Sequence, residues 1–250
     1  MIHDLIKGDR PFFECKDEES YIIPNFCDIK ELLSIHTVFL QNDIQSYNNK
    51  IHQLAHPIHN HIIAEIIKPK IKKLFPEAVY YSDVSNDKIN VGDQLYITYT
   101  PYSMHTDCAV HIPGYKPFKD VIIPIALSHE KEIYYFTCNQ RYKSRAAFFN
   151  RGRPGDYIPN GSDIFRKYPY EYYGVENIEY NSDMSWALEH GPSWVKPISY
   201  EGLSIEKIHP WIPGTAIIND SCVLHSGSDF RKKGVKWKIG LTFHLMTPTK

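Results

Sequence analysis

The chain has 250 residues, 42% of them apolar and 23% charged, which is the composition of an ordinary globular protein and argues against disorder or a fibrous repeat. Its 28 basic and 29 acidic residues nearly cancel, so no broad positive field exists to attract nucleic acid or an anionic membrane. The length suits one large domain or two small ones.

The first ten residues, Met1 to Arg10, are too charged for a signal peptide. The longest apolar stretch, Val121 to Leu127, falls far short of the ~20 residues a membrane span needs. Five scattered cysteines (Cys15, Cys27, Cys108, Cys138, Cys222) contain no CxxC pair, and the expectation is reduced thiols in a cytoplasmic protein. The sequons at Asn160 and Asn219 carry no weight without a secretory route. Arg231-Lys232-Lys233 reads as a solvated loop.

Residues 1–90 read as mainly helical. Asp28-Ile29-Lys30-Glu31 has the form of a capping box, followed by an incomplete apolar stripe of Leu32, Leu33, Val38, Phe39 and Ile44. A second helix is expected from about Pro57, with Ile58, Ile62 and Ile66 on one stripe, Ile63, Ile67, Ile71 and Leu74 beside it, and a kink or interruption at Pro69. His52, His56, His59 and His61 cluster there. Two of them are four apart, a zinc-compatible helical spacing, but Pro57 disturbs the helix and no carboxylate completes a set.

From about Val91 the texture becomes short β-rich runs: Leu95 to Thr100, Val121 to Leu127, Ile133 to Cys138, Thr215 to Ile218 and Trp237 to Leu245. Pro113-Gly114 and Pro213-Gly214 mark turns between them. Residues 141–209 form a long stretch rich in Tyr, Pro, Gly and Asn with little periodicity, a candidate substrate lid. The expected organisation is one domain over 1–250: a helical support at 1–90, a β core at 91–140 and 210–246, and the insertion at 141–209. Composition does not separate a sandwich from a barrel.

The chemistry centres on His105-Thr106-Asp107. In a strand, side chains at i and i+2 share a face, so one imidazole and one carboxylate can chelate a single ion. With 13 His and 15 Asp in the chain, about 0.8 such triplets arise by chance, so the triplet alone is weak. Downstream, the run Pro213 to Ser221 leads through Val223-Leu224 to a lone His225, and Lys236 follows in Gly234-Val235-Lys236-Trp237. Two histidines and one carboxylate on one face of an octahedral iron leave three positions open. A 2-oxo acid can fill two of these and dioxygen the third, and a cation at fixed distance would then anchor the far carboxylate of such a co-substrate.

In these residues the sequence resembles the 2-oxoglutarate/Fe(II)-dependent oxygenase superfamily, and within it the prolyl-4-hydroxylase-like branch. Tyr96, Tyr102, His105 and Asp107 follow the spacing YxxGxxYxxHxD, with Tyr99 in place of the Gly, and Gly234 to Trp237 resembles the family's GxKW. The resemblance covers roughly residues 91–140 and 210–246. It implies a double-stranded β-helix (a jelly roll, cupin-like), with His105, Asp107 and His225 as metal ligands and catalytic centre. Lys236 is the implied 2-oxoglutarate anchor, with Lys238 its rival. Tyr102, or more weakly Tyr96, would add a phenolic hydrogen bond to the co-substrate. The implied cofactors are Fe(II), 2-oxoglutarate as co-substrate and O2, with ascorbate as a stimulant. The implied reaction is hydroxylation of an unactivated C–H of a peptidyl, amino-acid or other small substrate, with release of succinate and CO2. A small-molecule or peptide partner is expected, with no nucleic acid and no membrane. Two rivals remain, a non-catalytic cupin-like metal-binding module and a zinc hydrolase on the same ligands. Neither needs a buried cation facing the ion from the last strand.

Overall fold

The computed structural model describes residues 18–41, 52–55, 63–84, 93–101, 104, 105, 107, 112–141, 184–193, 195 and 204–249. Among the described residues ten strands lie in two antiparallel sheets. The larger orders β1 (Tyr21–Ile23), β8 (Ala216–Asp220), β5 (Tyr115–Leu127), β10 (Lys238–Pro248), β4 (Gln94–Thr98) and β2 (His52–Ala55) side by side, with the short β3 (Val79–Tyr80) also on β10. The smaller orders β7 (Ile205–Pro210), β6 (Tyr134–Arg141) and β9 (Val223–Gly227), and His105 adds a single antiparallel bridge to His225 on its free side.

After β1, β2 and β3, all in the large sheet, the chain runs along β4 in the same sheet, crosses to the small one at His105, and returns at β5. It crosses again for β6 and β7, then alternates through β8, β9 and β10. That order is the winding of a double-stranded β-helix, a jelly roll. The expected fold class is the one observed.

Strand alternation divides the core in two. Val121, Ile123 and Ile125 of β5 and Ile239, Leu241, Phe243 and Leu245 of β10 turn to the outer face of the large sheet, where Ile35, Ile63, Ile67 and Ile71 cover them. The opposite residues face into the barrel, with Ile122, Tyr135, Trp211, Ile217, Phe230 and Val235 forming a second apolar cluster. Each large side chain so enclosed contributes about 1.5–3 kcal/mol.

The N-terminal third is less helical than expected, because three short strands within it extend the large sheet. Helix α1 (Ile29–Gln41) starts at the expected box: the N–H groups of Lys30 and Glu31 donate to Asp28 Oδ1 (2.8 and 2.9 Å), and the Asp28 N–H donates to Glu31 Oε2 (2.8 Å). Glu31 also pairs with Lys70 (2.7 Å) of α2 (Lys68–Leu74), tying the two helices together. Pro69 sits in the first turn of α2, directly after a π-helical turn at Ile63–Ile67. A residue without an N–H is tolerated there, and the α-helix is interrupted by a change of helix type just before the proline. Ile63, Ile67 and Ile71 form the buried stripe, whereas Leu74 is exposed. His52 lies in a strand and not a helix; His56, His59 and His61 lie outside the described residues.

A short helix α3 lies at Tyr81–Val84; of the expected insertion, the regular elements among the described residues are a short helix α4 (Ser185–His190) and strand β7. Trp186 of α4 packs edge-on against Tyr134 and Phe136 of β6. Residues 142–183, which carry most of the lid expectation, lie outside the described residues. Among the described residues no helix is long and apolar enough to cross a membrane.

One expectation is overturned. Cys27 and Cys138 are free, buried thiols, but Cys222 is disulfide-bonded. The nearest cysteine to it in sequence is Cys138, so any partner is distant in the chain and no CxxC spacing could signal the bond. The inference from thiols to a reducing compartment loses its basis with it.

Candidate metal centre

Three expected ligands meet inside one end of the barrel. His105 and His225 exchange both backbone hydrogen bonds (3.0 and 2.9 Å), which fixes their rings side by side with centroids 4.3 Å apart. The Asp107 N–H donates to the Ser221 carbonyl (3.0 Å), so the HxD segment is stitched to β9 at its His105 end and to the β8–β9 turn at its Asp107 end. The Asp107 carboxylate then spans the two imidazoles, with Oδ1 3.5 Å from His105 Nε2 and Oδ2 3.4 Å from His225 Nε2. One ligand atom from each residue falls within 4.8 Å of the others.

This donor set fits a divalent transition metal. Around an ion with bonds of about 2.1 Å, neighbouring octahedral donors stand about 3 Å apart, close to the spacings found here. The tautomer is also prepared. His225 Nδ1 lies 3.1 Å from the Val223 carbonyl, an acceptor only, so Nδ1 carries the proton and Nε2 presents its lone pair.

The inner face of β10 carries Lys238, Gly240, Thr242 and His244. Lys238 is 7% exposed. Its Nζ lies 3.7 Å above the Trp211 ring and 5.9 Å from that of Phe230, and no anion among the described residues pairs with it. Burial pushes its pKa down to about 7. Trp211 Nε1 is buried and lacks an acceptor among the described residues. An enclosed cation beside an unsatisfied donor is a site prepared for an anion.

Lys236, the expected anchor, is exposed. Strand parity does put 236 and 238 on one face. However, β10 begins only at Lys238, and Lys236 still belongs to the surface turn after Gly234, its N–H donating to Ser128 Oγ (2.7 Å). Of the two lysines, the one whose side chain is buried on the barrel side is Lys238. Tyr96 lies on the inner face of β4 opposite Gly240, and Tyr102 lies outside the described residues.

Sequence reasoning passed over Asp120 and His244. Asp120 is fully buried and accepts from His244 Nδ1 (2.8 Å), Ser221 Oγ (3.0 Å) and Asn219 Nδ2 (3.3 Å). Burial alone would lower the His244 pKa, but the bond to Asp120 and its charge outweigh that and raise it to about 9. The available signal was a carboxylate opening the otherwise apolar run Val121 to Ile125.

Neither a protein-family model nor a curated protein matches the sequence. Among solved structures, the chain is similar to HygX from Streptomyces hygroscopicus with nickel and 2-oxoglutarate bound, at 10% identity and TM-score 0.48, over 92% of this chain and 83% of that one. It is also similar to EvdO2 from Micromonospora carbonacea var. aurantiaca complexed with 2-oxoglutarate, at 9% identity and TM-score 0.48, over 96% and 95%. A third is SnoN, a non-heme alpha ketoglutarate dependent epimerase from nogalamycin biosynthesis, at 8% identity and TM-score 0.49, over 93% and 79%. With every one of these TM-scores below 0.5, the likenesses carry none of the functional reading, which rests on the donors and their surroundings.

Proposed function

We propose that this chain is an iron(II)- and 2-oxoglutarate-dependent oxygenase, with His105, Asp107 and His225 as metal ligands and Lys238 as the co-substrate anchor. The observation that carries it is the enclosed Lys238 ammonium, without an anion among the described residues, in the same barrel interior as the three-donor cluster. A metal-binding module or a zinc hydrolase has no use for that cation. Iron bound at the three donors would couple dioxygen activation to oxidative decarboxylation of 2-oxoglutarate, yielding succinate and CO2.

The chain's own residues hold and orient. His225 presents Nε2 because its Nδ1–H is engaged, and Asp107 supplies charge between the two rings. Lys238 pairs with the far carboxylate of the co-substrate, with the Trp211 indole N–H beside it as a further donor. Tyr135, Trp211, Phe230, Ile122 and Ile217 make the surrounding wall apolar and limit water. The prolyl-4-hydroxylase-like branch drew on Lys236, whose exposure removes that residue from the pattern. The prime substrate is therefore proposed only as a peptidyl, amino-acid or other small molecule with an unactivated C–H, and hydroxylation as the outcome.

The test is succinate formation from 2-oxoglutarate with iron(II) and ascorbate, followed through a substrate screen. A charge-assisted hydrogen bond of about 1.5–3 kcal/mol corresponds to about ten- to a hundredfold in affinity. Lys238→Ala should weaken 2-oxoglutarate binding by that factor and leave metal binding nearly intact, whereas Lys236→Ala should change neither. Stoichiometric iron in a His225→Ala protein would remove the metal assignment. Silence of both lysine variants would remove the co-substrate.

A further inference from the structure

Asp120 is the most deeply buried carboxylate near the centre, and nothing in the ligand set requires it. Its neighbours in β5, Val121 to Ile125, are apolar or Pro, and a carboxylate in such a place costs several kcal/mol unless fully paired. Across the large sheet it stands directly opposite His244 of β10 and Asn219 of β8. The three side chains make one row on the inner face.

Two hydrogen-bonded arms leave this row, and each ends on a different metal ligand. In the first, Ser221 Oγ donates to Asp120 Oδ1 (3.0 Å), while the carbonyl of the same Ser221 accepts the Asp107 N–H (3.0 Å). In the second, Asn219 Nδ2 donates to Asp120 Oδ2 (3.3 Å) and Asn219 Oδ1 accepts the Tyr135 hydroxyl (2.8 Å). The Tyr135 ring lies against that of His225, centroids 5.2 Å apart and tilted by 31°. His244 closes the row from the third side, and ligand atoms of Asp107, Asp120 and His244 all lie within 4.8 Å of one another. The pair His244–Asp120 already satisfies itself at 2.8 Å, so the row is a support and not a second ion site.

We propose that Asp120 is the positioning residue of the metal centre, holding Asp107 through Ser221 and the His225 ring through Asn219 and Tyr135. This rests on the metal reading above and adds to it a residue that touches neither ion nor substrate. Partners that orient metal ligands set metal affinity, and their loss commonly costs about 10–100-fold.

The experiment uses the full chain with Mn(II) alone, followed by electron paramagnetic resonance, and with Co(II), whose visible absorption reports ligand geometry. Binding by the parent and its loss in His225→Ala establish the metal reading independently of Asp120. Asp120→Asn should then weaken Mn(II) binding about 10–100-fold and change the Co(II) bands while the protein stays folded by circular dichroism. Tyr135→Phe, which removes one hydroxyl, should weaken it less. The double variant should lose less than the product of the two losses, because both lie on one path. If Asp120→Asn does not fold, Tyr135→Phe and Ser221→Ala carry the same test, since each leaves the Asp120–His244 pair in place. Folded variants with parental Mn(II) affinity and an unchanged Co(II) spectrum would overturn the proposal. A parent that binds no metal would overturn both this inference and the metal reading.

Discussion

The Lys238 ammonium shows how one enclosed side chain couples the barrel to pH. With its pKa held at about 7 by burial, the folded protein releases a proton that the unfolded chain keeps until about pH 10.4. Stability of the unliganded protein should therefore rise with pH through that window, and the burial penalty should be full below pH 7. Urea unfolding from pH 7 to 9 should show the rise, and Lys238→Met should flatten it. A bound dicarboxylate reverses the shift, so co-substrate binding above pH 7 should take up a proton and weaken by up to about tenfold per pH unit. Calorimetry in two buffers of different ionisation enthalpy measures that uptake, and its absence at pH 8 would argue against Lys238 as anchor. His209 acts on the acid side. Burial, with help from the Lys207 charge, pushes its pKa down to about 4, and its Nε2 lies 2.8 Å from Ser20 Oγ. The unfolded chain takes up this proton first, so stability should fall as pH drops from about 6.5 towards 4. His209→Gln should lessen that loss in pH-dependent melts.

At the scale of the element, β10 organises both cores at once. One of its faces supplies Ile239, Leu241, Phe243 and Leu245 to the outer core, and the other lines the site. Gly240 is what lets the site face close. A Cβ there would stand 2.5 Å from Tyr96 Oη and 3.1 Å from Trp211 Cζ2, so the strand admits no side chain beneath the two rings. Gly240→Ala should cost about 1–3 kcal/mol by overpacking. Because Tyr96 Oη and Cζ are the nearest atoms, at 2.5 and 2.6 Å, a Tyr96→Leu background, which removes both, should relieve part of that cost, as denaturant midpoints would show. Gly214 plays a comparable part in the turn before β8. Its φ of +87° and a would-be Cβ only 2.8 Å from the Cys27 carbonyl both exclude larger residues.

For the whole molecule, the consequence of the winding is that the site exists only in the folded state. His105 and Asp107 precede β5 in the chain, whereas His225 lies in β9 after β8, and the unfolded chain has no reason to bring them together. A metal that binds only the native protein stabilises it by mass action, about 2.7 kcal/mol at a hundredfold excess over Kd. For a chain of this size that is roughly 5–10 °C in Tm. Mn(II) should raise the parent's melting midpoint by that order, and His225→Ala should show no such rise.

Several features were legible in the sequence because they are local. The capping box at Asp28–Glu31 needs only a three-residue spacing. The strand character of Val121 to Leu127 and Trp237 to Leu245 needs only β-branched and apolar runs, and the HxD triplet needs only a two-residue spacing, although His105 makes a single bridge and Asp107 lies in a bend and not in a strand. The distal His225 could be named because a lone histidine ended a β-rich run. What the tertiary structure decided is non-local. Parity placed Lys236 and Lys238 on one face but could not say where the sheet begins, and the turn ending at Gly234 leaves the first in solvent and carries the second inside. The strands β1, β3 and β7 are too short or too mixed to announce themselves, and they form because partners already in place offer unpaired edges. Asp120 and His244 sit far apart in sequence without a motif. Their pairing follows from the register of β5 against β10, which is set by the packing of a whole sheet and by no spacing along the chain.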